Sequence, residues 1–389
     1  MMPPAADGET MVGDADDMAG YDDTMPSDSD VTTDDGGAVS DDGSTMDGGT
    51  MPGDDDTMAT SDGMTPVSLD DGLTRSPQPP VYADSAQDTL SSLLTSDEAV
   101  FSALSAAIHA DYAKDGVVLP NEGVSYVKSI SGDGEGGFHV TSVFNGEEST
   151  IHFEAGDFAA EFFGYSKLSE DEQDSRYLAL WDRDWLGDQV ASDYLELGYW
   201  AHTVGSDASA AESEQSDTLM HLSWVTFGVR SEPDNLPTGS AAYEGQMTAA
   251  WWDAKGPPDT DARNRCLRGT VNLEANFGAG TISGSVDHVF IPNWNADNEE
   301  GYDLGAIRIA ETGINEAQFR ADWVGEDDRM DVAPDRTIGG FTGTVLGEFY
   351  GPAAEEVGGV LSGRRAATDA MTERYITGGF GAVQPDPEQ

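Results

Sequence analysis

An all-β chain with minor helices, ending in an eight-stranded antiparallel barrel, is the fold class predicted here, and three observations predict it. Between Tyr243 and Ala382 the sequence divides into eight short runs separated by turn residues. In the first three runs apolar and polar residues alternate with period two, the pattern of strands with one face on a core and the other toward solvent. Glycines recur within or beside the later runs, at Gly339, Gly340, Gly343, Gly347, Gly351, Gly358, Gly359 and Gly363. Glycine weakens a strand unless the sheet bends sharply or a backbone approaches closely, and barrel corners demand both.

The elements follow in chain order. Residues 1–80 are nearly all Asp, Gly, Met, Thr, Ser, Ala and Pro, with Tyr21 the only aromatic. So little apolar surface cannot offset the entropy of ordering, which predicts a long disordered tail. A degenerate unit recurs in it: Asp23-Thr-Met-Pro26, Gly49-Thr-Met-Pro52, Asp56-Thr-Met58. Nine of the 13 methionines lie there. Clustered thioethers can hold Cu(I), but no His or Cys accompanies them, and a polar spacer is the simpler reading.

Residues 81–235 read as a mostly β, handle-like unit with a helical start. Leu90, Leu93, Leu94, Val100, Phe101, Leu104, Ile108 and Tyr112 fall near helical spacing, with Ser96-Asp-Glu98 as a start signal. The period then shortens at Phe138–Phe144, Ser149–Glu154, Arg176–Trp181, Tyr194–Trp200 and His221–Val229, which are short aromatic and β-branched segments. A Pro-bearing linker, Ser231–Thr238, leads into the barrel over 236–389.

There Tyr243, Gly245, Met247, Ala249 and Trp251 share one face. Val271, Leu273, Ala275 and Phe277 answer them on the next strand. After the Gly278-Ala-Gly280 turn come Ile282, Gly284, Val286 and His288. Further strands are expected at Leu304–Ala310, Glu316–Val324, Ile338–Tyr350, Glu356–Gly363 and Tyr375–Ala382. Eight is a number at which an up-and-down barrel closes around a filled interior, and closure removes the sheet edges.

Composition narrows the partners. With 74 acidic against 18 basic residues the formal charge is -56, which repels polyanions and argues against nucleic acid and anionic membrane surfaces. Met1–Thr74 carries 19 Asp, one Glu and no Lys or Arg, so most of the excess lies on the remaining chain. A surface this acidic with only four lysines suits a protein kept soluble in high salt. The lone Cys266 cannot form an internal disulfide. The sequence as it stands has no signal peptide, lipobox or apolar membrane span.

The run Gly347-Glu-Phe-Tyr-Gly-Pro-Ala-Ala-Glu-Glu-Val-Gly-Gly359 resembles the hairpin signature of the transferrin-binding protein B barrel family. Leu236–Gly245, Leu273–Gly284 and Phe380–Ala382 support the resemblance in the expected order. Its structural residues here are Tyr350, Gly351, Pro352, Glu356, Val357, Gly358 and Gly359. Pro352 and Gly351 end one strand and permit a turn, and Val357 starts the next. Glu355 or Glu356 is expected to contribute a hydrogen bond inside or near the barrel mouth. The resemblance implies a single-lobe lipoprotein of the cell surface or outer membrane that captures a macromolecule, or an iron- or haem-related ligand, through its loops.

No residue pattern points to catalysis: Gly-x-Ser-x-Gly, His-Glu-x-x-His and Walker sequences are absent, and a non-enzymatic role is expected. Gly278-Ala-Gly280 with Gly284 is followed by a strand, not the helix a dinucleotide loop requires. Neither cofactor nor metal is expected. The histidines (His109, His139, His152, His202, His221, His288) read as packed or surface residues, and Asp297–Asp303 lacks the glycine placement of a calcium loop. Trp251, Trp252 and Trp294 are the candidate binding residues, because large rigid aromatics at rims anchor partners. A structural or adhesive surface protein using the barrel as a stable module is the alternative.

Overall fold

The computed structural model of the chain describes residues 67–68, 72–83, 85, 88–96, 99–111, 116–118, 126–144, 146–159, 164–168, 174–180, 192–204, 219–253, 265–292, 302–327, 337–368 and 373–385. Residues 61–389 form one compact unit. The tail reading for the residues before Val67 lies outside the described residues.

The first part comprises β1 (Val67–Ser68), β2 (Leu73–Arg75), β3 (Val81–Tyr82), the helix α1 (Leu90–Leu94), β4 (Phe101–Asp111), β5 (Gly116–Val118), β6 (Tyr126–Gly132), β7 (Phe138–Phe144), β8 (Glu147–Phe153), β9 (Phe158–Ala159), β10 (Gly164–Leu168), β11 (Asp174–Leu180), β12 (Leu195–Val204) and β13 (Leu219–Arg230). The second comprises β14 (Ser240–Asp253), β15 (Arg265–Asn276), β16 (Thr281–Ile291), β17 (Tyr302–Asn315), β18 (Gln318–Glu326), β19 (Thr342–Tyr350), β20 (Glu356–Arg365) and β21 (Arg374–Val383). Strands β14 to β21 pair antiparallel in chain order, and β21 returns to β14 through Thr248↔Gly379 and its neighbours. This is the eight-stranded closed barrel expected, with a strand in each of the eight expected runs, although the run from Ile338 becomes strand only at Thr342.

Inside the barrel, Tyr243, Met247, Ala249, Trp251, Val271, Leu273, Ala275, Ile282 and Val286 join Phe319, Trp323, Val345, Phe349 and Phe380 in one core. Glycines make room for its rings. A Cβ on Gly347 would stand 2.2 Å from the Phe319 ring, and one on Gly363 would stand 2.2 Å from the Trp323 indole. Trp323 Nε1 donates to the carbonyls of Thr344 (3.2 Å) and Ser362 (3.0 Å), so the buried indole leaves no donor unpaired.

One face assignment changes. His288 is exposed at φ 51°, and Val289 takes the inward position instead. The register shifts between Val286 and Val289, so a bulge inserts His288 and moves the next inward position one residue later.

The helical expectation for the handle-like part holds only for α1, where Thr89 caps the helix by accepting from Ser92 N. The start signal at Ser96–Glu98 lies partly outside the described residues, and the segment it was expected to open, Phe101–Asp111, is the long strand β4. Its apolar residues lie on both faces. Phe101 and Ala103 enter one core, with Phe153, Trp200 and Phe227, while Leu104, Ala106 and Ile108 enter a second, with Trp224, Trp252 and Val360. A strand covered on both sides loses its polar face, and the resulting run imitates helical spacing. Order also begins earlier than residue 81: β2 pairs with β4, and Leu73 is buried in the second core.

Candidate functional site

Beneath the handle-like sheet the barrel wall is smooth by design of its sequence. On β20 and β21 the outward positions Gly358, Gly379 and Gly381 carry no side chain. Leu195 and Leu197 of β12 and Thr226 of β13 rest there, 3.1 to 3.9 Å from where Cβ atoms would be. Thr226 Oγ1 donates to Gly359 O (3.0 Å). At the end of β13 the two parts share main-chain bonds: Gly351 N to Val229 O (2.9 Å) and Ser231 N to Phe349 O (2.9 Å).

Glu356, the first residue of β20, points outward into this junction and is 3% exposed. Its carboxyl accepts from three successive backbone N–H groups of the chain leading into β12: Asp193 (2.5 Å), Tyr194 (3.1 Å) and Leu195 (3.0 Å). Ser192 Oγ lies 3.0 Å from Oε2 and also reaches Leu195 O. Burial pushes the Glu356 carboxyl up to about 7, against the downward pull of these donors. The Ser192 hydroxyl donates to Glu356 Oε2 and is one of the contacts that pull the carboxyl down. The expected hydrogen bond of Glu356 therefore exists, but it runs outward to the handle-like part, not into the barrel mouth.

Two further residues complete the clamp. Glu348, on β19, is buried with Arg75 Nε at 3.1 Å and Arg230 Nη1 at 3.7 Å, and Arg230 donates to Glu316 O. Burial lowers the Arg75 pKa, opposed by the Glu348 charge. Tyr350 turns away from the barrel and is buried in the first handle core. In the turn, Gly351 adopts φ 85°, with Glu355 Oε2 and the Tyr194 ring where a Cβ would stand. Val357 and Gly359 face inward, with Gly359 against Phe380. Sequence reading found the hairpin but missed Ser192, Glu348, Arg75 and Arg230, whose partners lie more than 80 residues away in the chain.

The tryptophan candidates separate. Trp251 lies in the barrel core, 2% exposed, with the Arg374 guanidinium 4.8 Å over its ring. Trp252 faces outward but is 3% exposed, because the handle-like sheet covers it. Neither is the exposed rim aromatic that adjacent placement on a strand suggested. Trp294 lies outside the described residues. Tyr302, at the start of β17, is 61% exposed and is the aromatic the structure presents there.

Residues 236–384 match the family model described as the C-lobe and N-lobe β-barrels of transferrin-binding protein B. Among solved structures, a single-residue variant of transferrin-binding protein B from Haemophilus parasuis Hp5 is similar at 16% identity. That match covers 72% of this chain and 44% of that one at a TM-score of 0.34. Isotype 1 transferrin-binding protein B from serogroup B Neisseria meningitidis is similar at 13% identity over 74% of this chain and 58% of that one, at a TM-score of 0.32. The chain thus spans about half the length of these proteins. Comparison with curated proteins gave no match.

Proposed function

We propose, from a chain whose residues 236–384 form a transferrin-binding protein B-type barrel, that this protein is a non-enzymatic binding protein of the cell envelope. It captures a macromolecule, or an iron- or haem-related ligand, through the loops at one end of the barrel. The family match carries this reading. The geometry supports it in one respect: the clamp around Glu356 occupies the β19–β20 turn end, which leaves the opposite rim, formed by the ends of β14, β16, β18 and β20, to meet a partner. Tyr302 stands on that rim. The division into an acidic tail before Val67 that serves as a spacer, a handle-like part up to residue 235 and a barrel over 236–389 belongs to the same proposal. A random coil of that length spans roughly 50 Å, and more when its charges repel.

The test is affinity capture of soluble components from the native habitat by the immobilised full chain, alongside spectral titration with haemin. Saturable retention of one soluble partner, or a one-to-one haemin complex, weakened in the Tyr302→Ser variant, is the expected result. Retention of whole cells or matrix alone, with no soluble ligand, supports the adhesive alternative instead.

A further inference from the structure

The cluster of Arg75, Glu348 and Arg230 at the seam between the handle-like part and the barrel does not balance its charge. Glu348 and Tyr350 lie two residues apart on β19, so both side chains leave the barrel wall on the handle side. Arg230 of β13 stands directly opposite Tyr350. The Glu348 and Arg230 side chains are 6% and 7% exposed, and Tyr350 is buried. The charges acting on Tyr350 are those of Glu348, Arg230 and Arg75. Two guanidiniums therefore share one carboxylate, and one positive charge is left over where little water reaches it. Arginine keeps its proton in proteins, so the cluster cannot shed that charge by titration, and an uncompensated buried charge is costly.

Donors are in excess as well. Arg75 Nε holds Glu348 Oε1 at 3.1 Å. Arg230 gives Nη2 to Glu316 O and reaches Glu348 with Nη1 only at 3.7 Å, while its Nε is buried with no hydrogen-bond acceptor among the described residues. The Tyr350 hydroxyl is also buried and makes no hydrogen bond there. Burial first, and then the Glu348 charge, push the Tyr350 pKa well above the ordinary phenol value, so the hydroxyl keeps a proton to donate. Two buried donors without an acceptor, beside a surplus positive charge, call for a small negative acceptor.

We propose that Arg75, Arg230 and the Tyr350 hydroxyl bind one small monovalent anion, such as chloride, at this seam. One charge is missing, so one monovalent ion balances the cluster, whereas a divalent ion would leave it negative. Arg75, whose side chain is 23% exposed, gives the site its side toward solvent. The net charge of -56 repels any anion at long range, but at about 1 M salt the Debye length falls to ~3 Å. The site therefore fills in salt. The ion then ties β2, β13 and β19 together and adds stability that depends on its concentration.

The experiment follows denaturant unfolding of the full chain as sodium chloride replaces sodium gluconate at constant sodium concentration. Relative to Arg75→Gln, which removes the surplus charge, the wild type should gain stability from chloride, saturably; comparing the two cancels the general effects of the salts. Arg364→Gln, which changes an exposed arginine near the end of β20, should respond as the wild type does. Tyr350→Phe should weaken chloride about 2- to 10-fold, as loss of one hydrogen bond does. Wild-type crystals grown in sodium bromide locate the ion by anomalous scattering, which decides the matter even if Arg75→Gln fails to fold. An equal chloride response in wild type and Arg75→Gln, loss of the response in Arg364→Gln, unchanged affinity in Tyr350→Phe or bromide absent from the cluster each overturns the proposal.

Discussion

The barrel and the handle-like part use strands differently. Barrel strands β15 to β18 have one face on a single core, and outside the β16 bulge their inward residues follow alternation, whereas β19 to β21 are covered on both faces. Strand β4 has a core on each side, and β13 is buried at every described position from His221 to Arg230. The barrel closes on itself, whereas the handle-like sheet is held partly by what it touches: glycine-lined wall, the Glu356 clamp and the Arg75–Glu348–Arg230 cluster. The barrel's stability should therefore be intrinsic and that of the handle-like part conditional.

The largest test of that difference is Trp323→Ala. This residue fills the barrel centre and satisfies two carbonyls, and removing a fully buried Trp costs about 3 to 5 kcal/mol. If the handle-like part depends on the barrel, calorimetry should show one transition, lowered as a whole. Separate melting, with a handle transition left in place, would break the comparison.

Next in size is Glu356→Ala. It strips the acceptor from two buried N–H groups and one part-buried one, with a cost on the order of 2 to 3 kcal/mol, while Glu356→Gln keeps one carbonyl and should cost less. Hydrogen exchange should accelerate at Asp193–Leu195 and along β12, with the barrel amides protected. Uniform acceleration across β14–β21 would mean that the clamp stabilises the barrel as well.

These contrasts also explain what was legible in the sequence. Tyr243 to Val286 could be assigned by face because solvent contact enforces polarity on alternate residues; His288 failed because a bulge breaks the period without a compositional mark. Phe101–Asp111 failed for the opposite reason, since two cores erase the polar face. The hairpin glycines were readable as structural, but their division into inward room for Phe319 and Trp323 and outward seats for Leu195 and Leu197 was not. That division depends on long-range pairing. Glu356 was singled out, yet its partners Ser192–Leu195 carry no local signal, because backbone N–H groups are the same in every residue but proline.

The smallest effect is the most diagnostic, because two groups oppose each other in the wild type. Glu356, raised to about 7 in the fold from 4.5, binds its proton more tightly when folded. Its stabilising contribution is fully present below pH 4.5 and fades as pH rises through 7. His202 is lowered below 6.5, first by burial and then by Arg176, so folding disfavours its charged form and stability falls as pH drops below 6.5. In denaturant unfolding between pH 5 and 8 these two groups should therefore pull stability in opposite directions. Substitution separates them: Glu356→Gln should leave stability falling on acidification below 6.5, and His202→Phe should leave it rising from pH 8 toward 5. Reading each variant against the wild type cancels the background of the other carboxylates. If His202→Phe shows no rise, the three N–H donors and the Ser192 hydroxyl together outweigh burial and Glu356 is ionised in the clamp.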